Sequence, residues 1–353
     1  LAGFFACGFF PGERTQLEGL SILRPSTHYV LDSRGNLLRQ ERIVAWQHAP
    51  DTKRTYDETV DAFGRIFLEV MTDALKGSPV ALPLSGGLDS RSTAAAVTPS
   101  LVANAWAYSY GYTADSVETR IARQVAAARG LPFQAFTIAP YLFENLERLL
   151  AWTEGFQDVT QARQAAVRDA LALRGGSLVG ALWGDVWLDN MGLGEGQASP
   201  AEAAAFALGK MLKRGRTWLL QHVVGSHLAG GECDVALEAW ARQEMDALEG
   251  IAEADFRVKA FKTEQWSFRW SLPPVRVFQS AAWPRLVFYD GRLADFFATV
   301  PAGFLTGRRL QIDFLKRFAP DLARITWQVY DANLYDIQHF NTWQLPKRAL
   351  KKA

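Results

Sequence analysis

Residues 85–90, Ser-Gly-Gly-Leu-Asp-Ser, set two hydroxyls, two glycines and a carboxylate between the apolar run Val80-Ala-Leu-Pro-Leu84 and an alanine-rich stretch. A strand that ends on Ser-Gly-Gly and enters a helix presents main-chain N–H groups, unobstructed by Cβ atoms, at the positive end of a helix dipole. That arrangement suits an anion, and the hydroxyls of Ser85 and Ser90 add donors. Asp89 has the wrong charge to touch phosphate directly. It fits if a magnesium ion lies between the carboxylate and phosphate oxygens. The lysine of the Walker A loop is missing, and the spacing is not that of the Rossmann GxGxxG fingerprint.

The flanking elements decide whether this is a cradle or a plain turn. Thr55 with Glu58 forms a capping box, and Val60, Phe63, Phe67, Val70, Met71 and Ala74 recur at helical spacing up to Gly77. Strands are expected at 80–84, 103–111, 132–138 and 175–182. Between them, one helix starts near Asp89, and another is capped by Asp115 and Glu118 and stopped at Gly130. Strand and helix alternate at βαβ intervals, which predicts an α/β fold: a parallel sheet with helices on both faces, followed by a largely helical C-terminal part beyond residue 195. Pro83 must sit at the strand's end or on a side where its missing donor goes unneeded, since it cannot donate to a ladder. Residues 1–50, including "FFACGFF" and "HYVLDSRGNLLRQ", read as short β pieces joined by turns.

Composition narrows the function classes. In 353 residues the formal net charge is +1, which gives no reason to expect a nucleic-acid partner. Two cysteines, Cys7 and Cys233, are too few and too separated for a disulfide framework or a zinc site, and the five histidines show no ligand spacing. A reducing, cytoplasmic setting follows. No apolar run reaches the roughly 18 to 20 residues of a membrane span, so no membrane partner is expected. The opening "LAGFFACGFF" lacks a basic n-region and does not read as a signal peptide; its leucine start suggests that something upstream has been lost. The basic end around Lys347 and Arg348 reads as a solvated terminus.

"PLSGGLDSR" (83–91) resembles the pyrophosphate loop, typically LSGGLDSS, of the asparagine-synthetase family, members of the N-type ATP pyrophosphatase class. The likeness extends to "AYSYGYTADSVETRIARQVAAARGLPFQAFTI" (107–138), to "RLVFYDGRLADFFATVP" (285–301) and to "RFAPDLARITWQ" (317–328). "GFFPGERTQLEGLSILRPSTHYVLD" (8–32) is similar to the tail of the glutaminase domain that precedes the synthetase domain in that family. On this resemblance residues 1–50 are a remnant of such a domain, and 51–353 form the ATP-binding domain.

The resemblance implies ATP and Mg²⁺. It assigns Leu84, Ser85, Gly86, Gly87, Leu88, Asp89, Ser90 and Tyr110 to nucleotide contacts. The family's S-G-E-G-S-D-E segment aligns with "GALWGDV", placing Gly180 and Ala181 beside the nucleotide and Asp185 with Asp89 as the metal-binding carboxylates. The implied chemistry is amide formation: a substrate carboxylate, aspartate or another acid, attacks the α-phosphorus of ATP to give an acyl-adenylate and pyrophosphate, and ammonia or an amine displaces AMP. The expected partners are that small carboxylate and a nitrogen donor, with a homodimer as the possible assembly. Leu182 falls where the family has glutamate, Val329-Tyr330 where it has lysine, and Arg91 where it has a second serine. Lys316 is the candidate substitute for the lysine. Glu154 and Asp158 fall near the family's substrate region, and the tryptophans at 183, 187, 266, 270 and 283 fit either a pocket or the core. Cys7 follows six residues, so it supplies no N-terminal nucleophile. Two other readings stay open: an intramolecular cyclase of β-lactam-synthetase or lasso-peptide type, and a non-catalytic nucleotide-binding relative; a tRNA-thiolating relative would need paired cysteines and a basic face, and neither is evident.

Overall fold

The computed structural model describes residues 1–77, 79–113, 115–193, 198–224, 231–271 and 273–339. The basic end at 347–348 lies outside them. The chain forms two compact units, Leu1–Ala49 with Glu147–Gln161 and Met191–Arg276, and Pro50–Leu146 with Ala162–Asn190 and Val277–Ala353.

In the first unit "FFACGFF" corrects the expectation of a strand. Ala2–Cys7 is a helix that stops because Gly8 turns left-handed (φ 82°) and its N–H reaches back to Phe4 O. A run that is apolar on every side has no period, so strand and helix cannot be told apart in it. The hairpin is present as β1 (Thr27–Leu31) paired antiparallel with β2 (Leu37–Arg42). Asp32 Oδ1 accepts the Arg34 and Asn36 N–H groups across the turn. Helices dominate the remainder, including Pro200–Met211 and Ala254–Lys262, the latter passing directly into a π-helix at Thr263–Ser271. Cys7 and Cys233 are buried free thiols, and burial pushes Cys7 up to about 12, which makes it inert.

The second unit is built on a sheet of five strands, in the order β5-β4-β3-β6-β7. They are β3 (Val80–Pro83), β4 (Ala105–Gly111), β5 (Phe133–Thr137), β6 (Ser177–Gly180) and β7 (Trp283–Leu286). Every pairing is parallel. Pro83 is the last residue of its strand, as its missing donor requires. The strand at Trp283–Leu286 was not expected. It is short and carries Pro284, which only an edge strand tolerates, and β7 is an edge.

The chain winds from β3 out through β4 to β5, then returns to place β6 on the other side of β3. Right-handed crossovers put the connections of the two directions on opposite faces. Accordingly Val167 and Leu171 of the helix Ala165–Arg174 pack with Ala81, Trp106, Tyr108, Leu178, Phe278 and Ala282 in one core cluster. The helices Leu88–Ala95 and Val117–Ala128 belong to the outward run. Ser116, not Asp115, caps the latter by accepting from Thr119 N; Asp115 pairs with Arg120 instead. Winding reverses between β3 and β6, and a crevice at such a reversal is where open α/β sheets bind ligands. The segments leaving those two strands are Leu84–Ser90 and Ala181–Asp185.

Candidate active site

The loop after β3 is braced by its own hydroxyls. Ser85 N donates to Ser90 Oγ at 3.0 Å, the two hydroxyls lie 3.0 Å apart, and Gly87 N donates to Ser85 Oγ at 3.2 Å. Leu84 continues the ladder, its N–H 2.8 Å from Tyr108 O. Gly87 is the N-cap of the helix Leu88–Ala95, and no side chain caps that end. The first helical amides are therefore open to an external acceptor. Gly86 is glycine for a steric reason: a Cβ there would collide with Gln328 Oε1 and come within 2.8 Å of Gln328 Cβ.

Arg91 is fully buried and binds main chain only. Its Nη1 donates to Leu322 O (3.3 Å) and Ile325 O (2.8 Å), its Nη2 to Thr326 O (2.6 Å). Desolvation alone pulls the guanidinium down to about 10. The arginine in the place of the second serine thus ties segment 322–326 to the loop helix, and so sets Trp327-Gln328 over Gly86.

Gly184 seats the two carboxylate segments against each other. A Cβ on it would fall 2.9 Å from Asp89 Cγ and 2.8 Å from Phe288 Cε2. Asp89 Oδ1 accepts from Arg308 Nη1 at 2.9 Å and from Gln311 Nε2 at 3.0 Å. Burial raises the Asp89 carboxyl, Arg308 and Gln311 oppose that, and the charge of Asp185 adds to it. Asp185 itself is exposed. Among the described residues no group of three or more His, Cys, Asp or Glu could hold a metal ion. Two carboxylates beside an open helix start do fit a magnesium ion that arrives with phosphates, because Mg²⁺ characteristically takes one or two carboxylates plus phosphate oxygens and water. Gly180 ends β6, and Ala181 is half-buried just beyond it. Tyr110 lies near the C-terminal end of β4, its ring stacked on Tyr108 with centroids 6.4 Å apart, and burial raises its phenol.

The family model described as asparagine synthase matches residues 69–172, which span β3, the loop, β4 and β5. No curated protein matches the chain significantly. Among solved structures, an NH3-dependent NAD synthetase from Campylobacter jejuni, in complex with nitrate, is similar at 15% identity over 62% of this chain and 96% of that one, with a TM-score of 0.28. A likeness of that size carries no argument.

Asp185, Arg308 and Gln311 stand outside the matched residues 69–172; Asp185 is named from the resemblance, and Arg308 and Gln311 come only from their contacts with Asp89. Aligned on Asp185, the second glycine of the S-G-E-G-S-D-E segment falls on Trp183, which has φ 79°. A bulky L-residue is strained there, whereas glycine is not. Trp183 is buried and stacks on Tyr289 at 5.9 Å; Trp187 is buried, donates to Phe288 O and stacks on Phe297. Trp283 is exposed. Lys316 is not brought to Asp89. Its Nζ lies 3.7 Å from Asp313 Oδ1 and 5.6 Å from the Tyr335 ring centroid. Glu154, Asp158, Trp266 and Trp270 fall in the first unit, where Glu154 pairs with Arg276, Asp158 with Lys213, and Trp270 faces the Lys213 ammonium.

Sequence reasoning did not find Arg308, Gln311, Asp189 or the contact of Gln328 with the loop. One signal was present. Gln311 is a fully buried amide within the buried stripe Leu310, Ile312, Phe314 and Leu315 of the helix Arg309–Phe318, and such a group needs polar partners.

Proposed function

We propose that the chain is an ATP-dependent, AMP-forming carbon–nitrogen ligase of the asparagine-synthetase class. It adenylates a small carboxylate, aspartate or another acid, with release of pyrophosphate, and passes it to ammonia or an amine. The observation that supports this most is the meeting of the β3 and β6 segments at the winding reversal, where Gly184 lies against Asp89 beside an uncapped helix start. In this reading the open amides of the loop and the Ser85 and Ser90 hydroxyls hold the pyrophosphate end of the nucleotide. Leu84, Tyr110, Gly180 and Ala181 line its remainder. Asp89 and Asp185 hold Mg²⁺, which neutralises charge on the leaving pyrophosphate. The residues act by positioning and by electrostatics set in advance of the reaction, since no nucleophilic side chain is required. Residues 1–50 keep their reading as the tail of a preceding glutaminase-type domain, supported by the hairpin β1–β2.

ATP–pyrophosphate exchange across a panel of carboxylates tests the reading, with Asp89→Ala as the control. Acid-dependent exchange that the control loses supports it, and exchange that persists in the control refutes the assignment of Asp89. A second reading, a nucleotide-binding relative without ligase activity, has in its favour that Leu182 and Tyr330 stand where the resemblance expects glutamate and lysine. It requires nucleotide binding with no exchange for any acid.

A further inference from the structure

We propose that Arg308 guards Asp89 until a divalent ion replaces it, and then holds the phosphates of the bound nucleotide. The proposal rests on the reading of this site as a nucleotide site.

Arg308 is the one basic residue ion-paired to Asp89, Asp185 or Asp189 among the described residues: Nη1 is 2.9 Å from Asp89 Oδ1 and Nε 3.7 Å from Asp189 Oδ2. Nη1 also donates to Gln311 Oε1 at 3.3 Å, and no hydrogen bond engages Nη2 among the described residues. Two carboxylates, Asp89 and Asp189, therefore share one guanidinium. A divalent ion at Asp89 competes with Arg308 for the same oxygen, and it frees a forked cation a few ångströms from the phosphate cradle.

The turn that carries Arg308 is built to hold its stem while the head exchanges partners. Gly307 and Arg308 are both left-handed (φ 65° and 60°), a conformation that a long side chain adopts only when its surroundings impose it. The imposing contact is local: Gly307 N donates to Asp189 Oδ1 at 3.0 Å. Asp189 fixes where the side chain begins and offers the guanidinium a second anion, so release from Asp89 does not strand the charge. The cation is also needed. Tyr330 stands at the expected lysine, and Lys316 is held by Asp313. Guarding has a thermodynamic consequence: ion and nucleotide must bind with positive coupling, each raising the affinity of the other by the same factor.

Arg308→Gln in the full chain tests this through binding rather than activity. Mn²⁺ is titrated by electron paramagnetic resonance without nucleotide, and ATP by calorimetry at saturating Mg²⁺. Removing the guard is expected to tighten Mn²⁺ binding about five- to tenfold. Losing the phosphate-side cation is expected to weaken ATP binding about tenfold. Arg308→Lys, with a charge but no fork, should restore most of the Mn²⁺ value and part of the ATP value. Thermal melts of both variants report folding, and a melt of Arg308→Lys that matches wild type keeps the comparison valid if the glutamine variant is unstable. Mn²⁺ binding that is unchanged or weaker in Arg308→Gln, or ATP binding that keeps its wild-type strength, overturns the proposal and leaves the ligase reading intact. A wild-type chain that binds no ATP at all overturns the nucleotide reading, and with it the phosphate half of this one.

Discussion

Gly87→Ala separates the phosphate cradle from an ordinary turn, because the structure gives alanine room at that position. Gly87 has φ −83° and ψ 176°, extended backbone open to any residue. An added Cβ would meet only Ser85 Oγ, at 3.3 Å, and a small hydroxyl shift relieves that. Alanine is the poorer N-cap residue by a few tenths to about 1 kcal/mol. It also restricts the unfolded chain, which returns about 0.4–1 kcal/mol. The two effects nearly cancel, so stability should change by about 0.5 kcal/mol or less, a melting shift of about 2 °C in a unit of this size. Nucleotide binding should respond very differently. The methyl group projects where main-chain amides must approach a phosphate, and ATP affinity by calorimetry is expected to fall at least about tenfold, with pyrophosphate exchange falling alongside it. Gly86→Ala is the internal contrast. Its Cβ would overlap Gln328, an overpacking worth about 1–3 kcal/mol, so that variant should melt several degrees lower. If Gly87→Ala binds ATP and exchanges pyrophosphate as wild type does, the loop amides do not hold phosphate, and the cradle argument fails whatever Gly86→Ala does.

Arg91→Met removes the buried guanidinium that donates to Ile325 O, Thr326 O and, beside its main-chain donors, Leu322 O, and is expected to lower unfolding free energy by about 3–5 kcal/mol in urea melts; a loss below about 1 kcal/mol would show that segment 322–326 is held by other contacts. Gly184→Ala drives a Cβ against the Asp89 carboxyl and Phe288, and should weaken Mn²⁺ binding about tenfold or more, read by electron paramagnetic resonance; unchanged binding would remove Asp89 from the ion site. In the first unit, burial opposes the charge on Asp158, but Lys213 and Thr160 outweigh it and hold the carboxyl below its ordinary range. A depressed carboxyl stabilises above the unfolded value near 4 and loses that contribution as pH falls through the folded value. The wild type should therefore exceed Asp158→Asn by about 1 kcal/mol at pH 7 and lose that lead below about pH 4, followed by thermal melts across pH. A lead that persists at pH 3 would mean the ion pair is not its source.

What could be read from the sequence follows from how local each cause is. Four of the five strands, the capping box at Thr55 and Glu58, and the helix start after Gly87 each depend on residues within one or two turns, and each is where periodicity and turn chemistry place it. Ala2–Cys7 could not be read because a run without polar residues has no face. The strand at Trp283–Leu286 could not be read because four residues with a proline carry almost no alternation; its place comes from pairing with Ser177–Gly180, about a hundred residues earlier.

The site divides along the same line, and the division has a chemical meaning. Ser85, Gly86, Gly87, Asp89 and Ser90 could be named from the sequence because the proposed cradle is main chain, and main chain that must approach a phosphate tolerates few residue types. The groups that balance charge around it are long side chains more than two hundred positions away, and no local pattern obliges Arg308 or Gln311 to meet Asp89. Many residues can deliver a positive charge or an amide to one carboxylate oxygen, provided the backbone starts from the right place. Glycine-rich backbone cannot be supplied from elsewhere in that way. Departures from the family pattern should therefore gather on the charged partners and spare the glycines: Leu182 and Tyr330 depart at charged positions, residues 85–90 do not, and Arg91 departs at the last position of the loop motif. Arg91 shows the cost of such freedom, since a charge placed at the loop helix had to be satisfied by three carbonyls brought across from 322–326. That same tether lays Gln328 over Gly86 and removes the choice of any residue there but glycine.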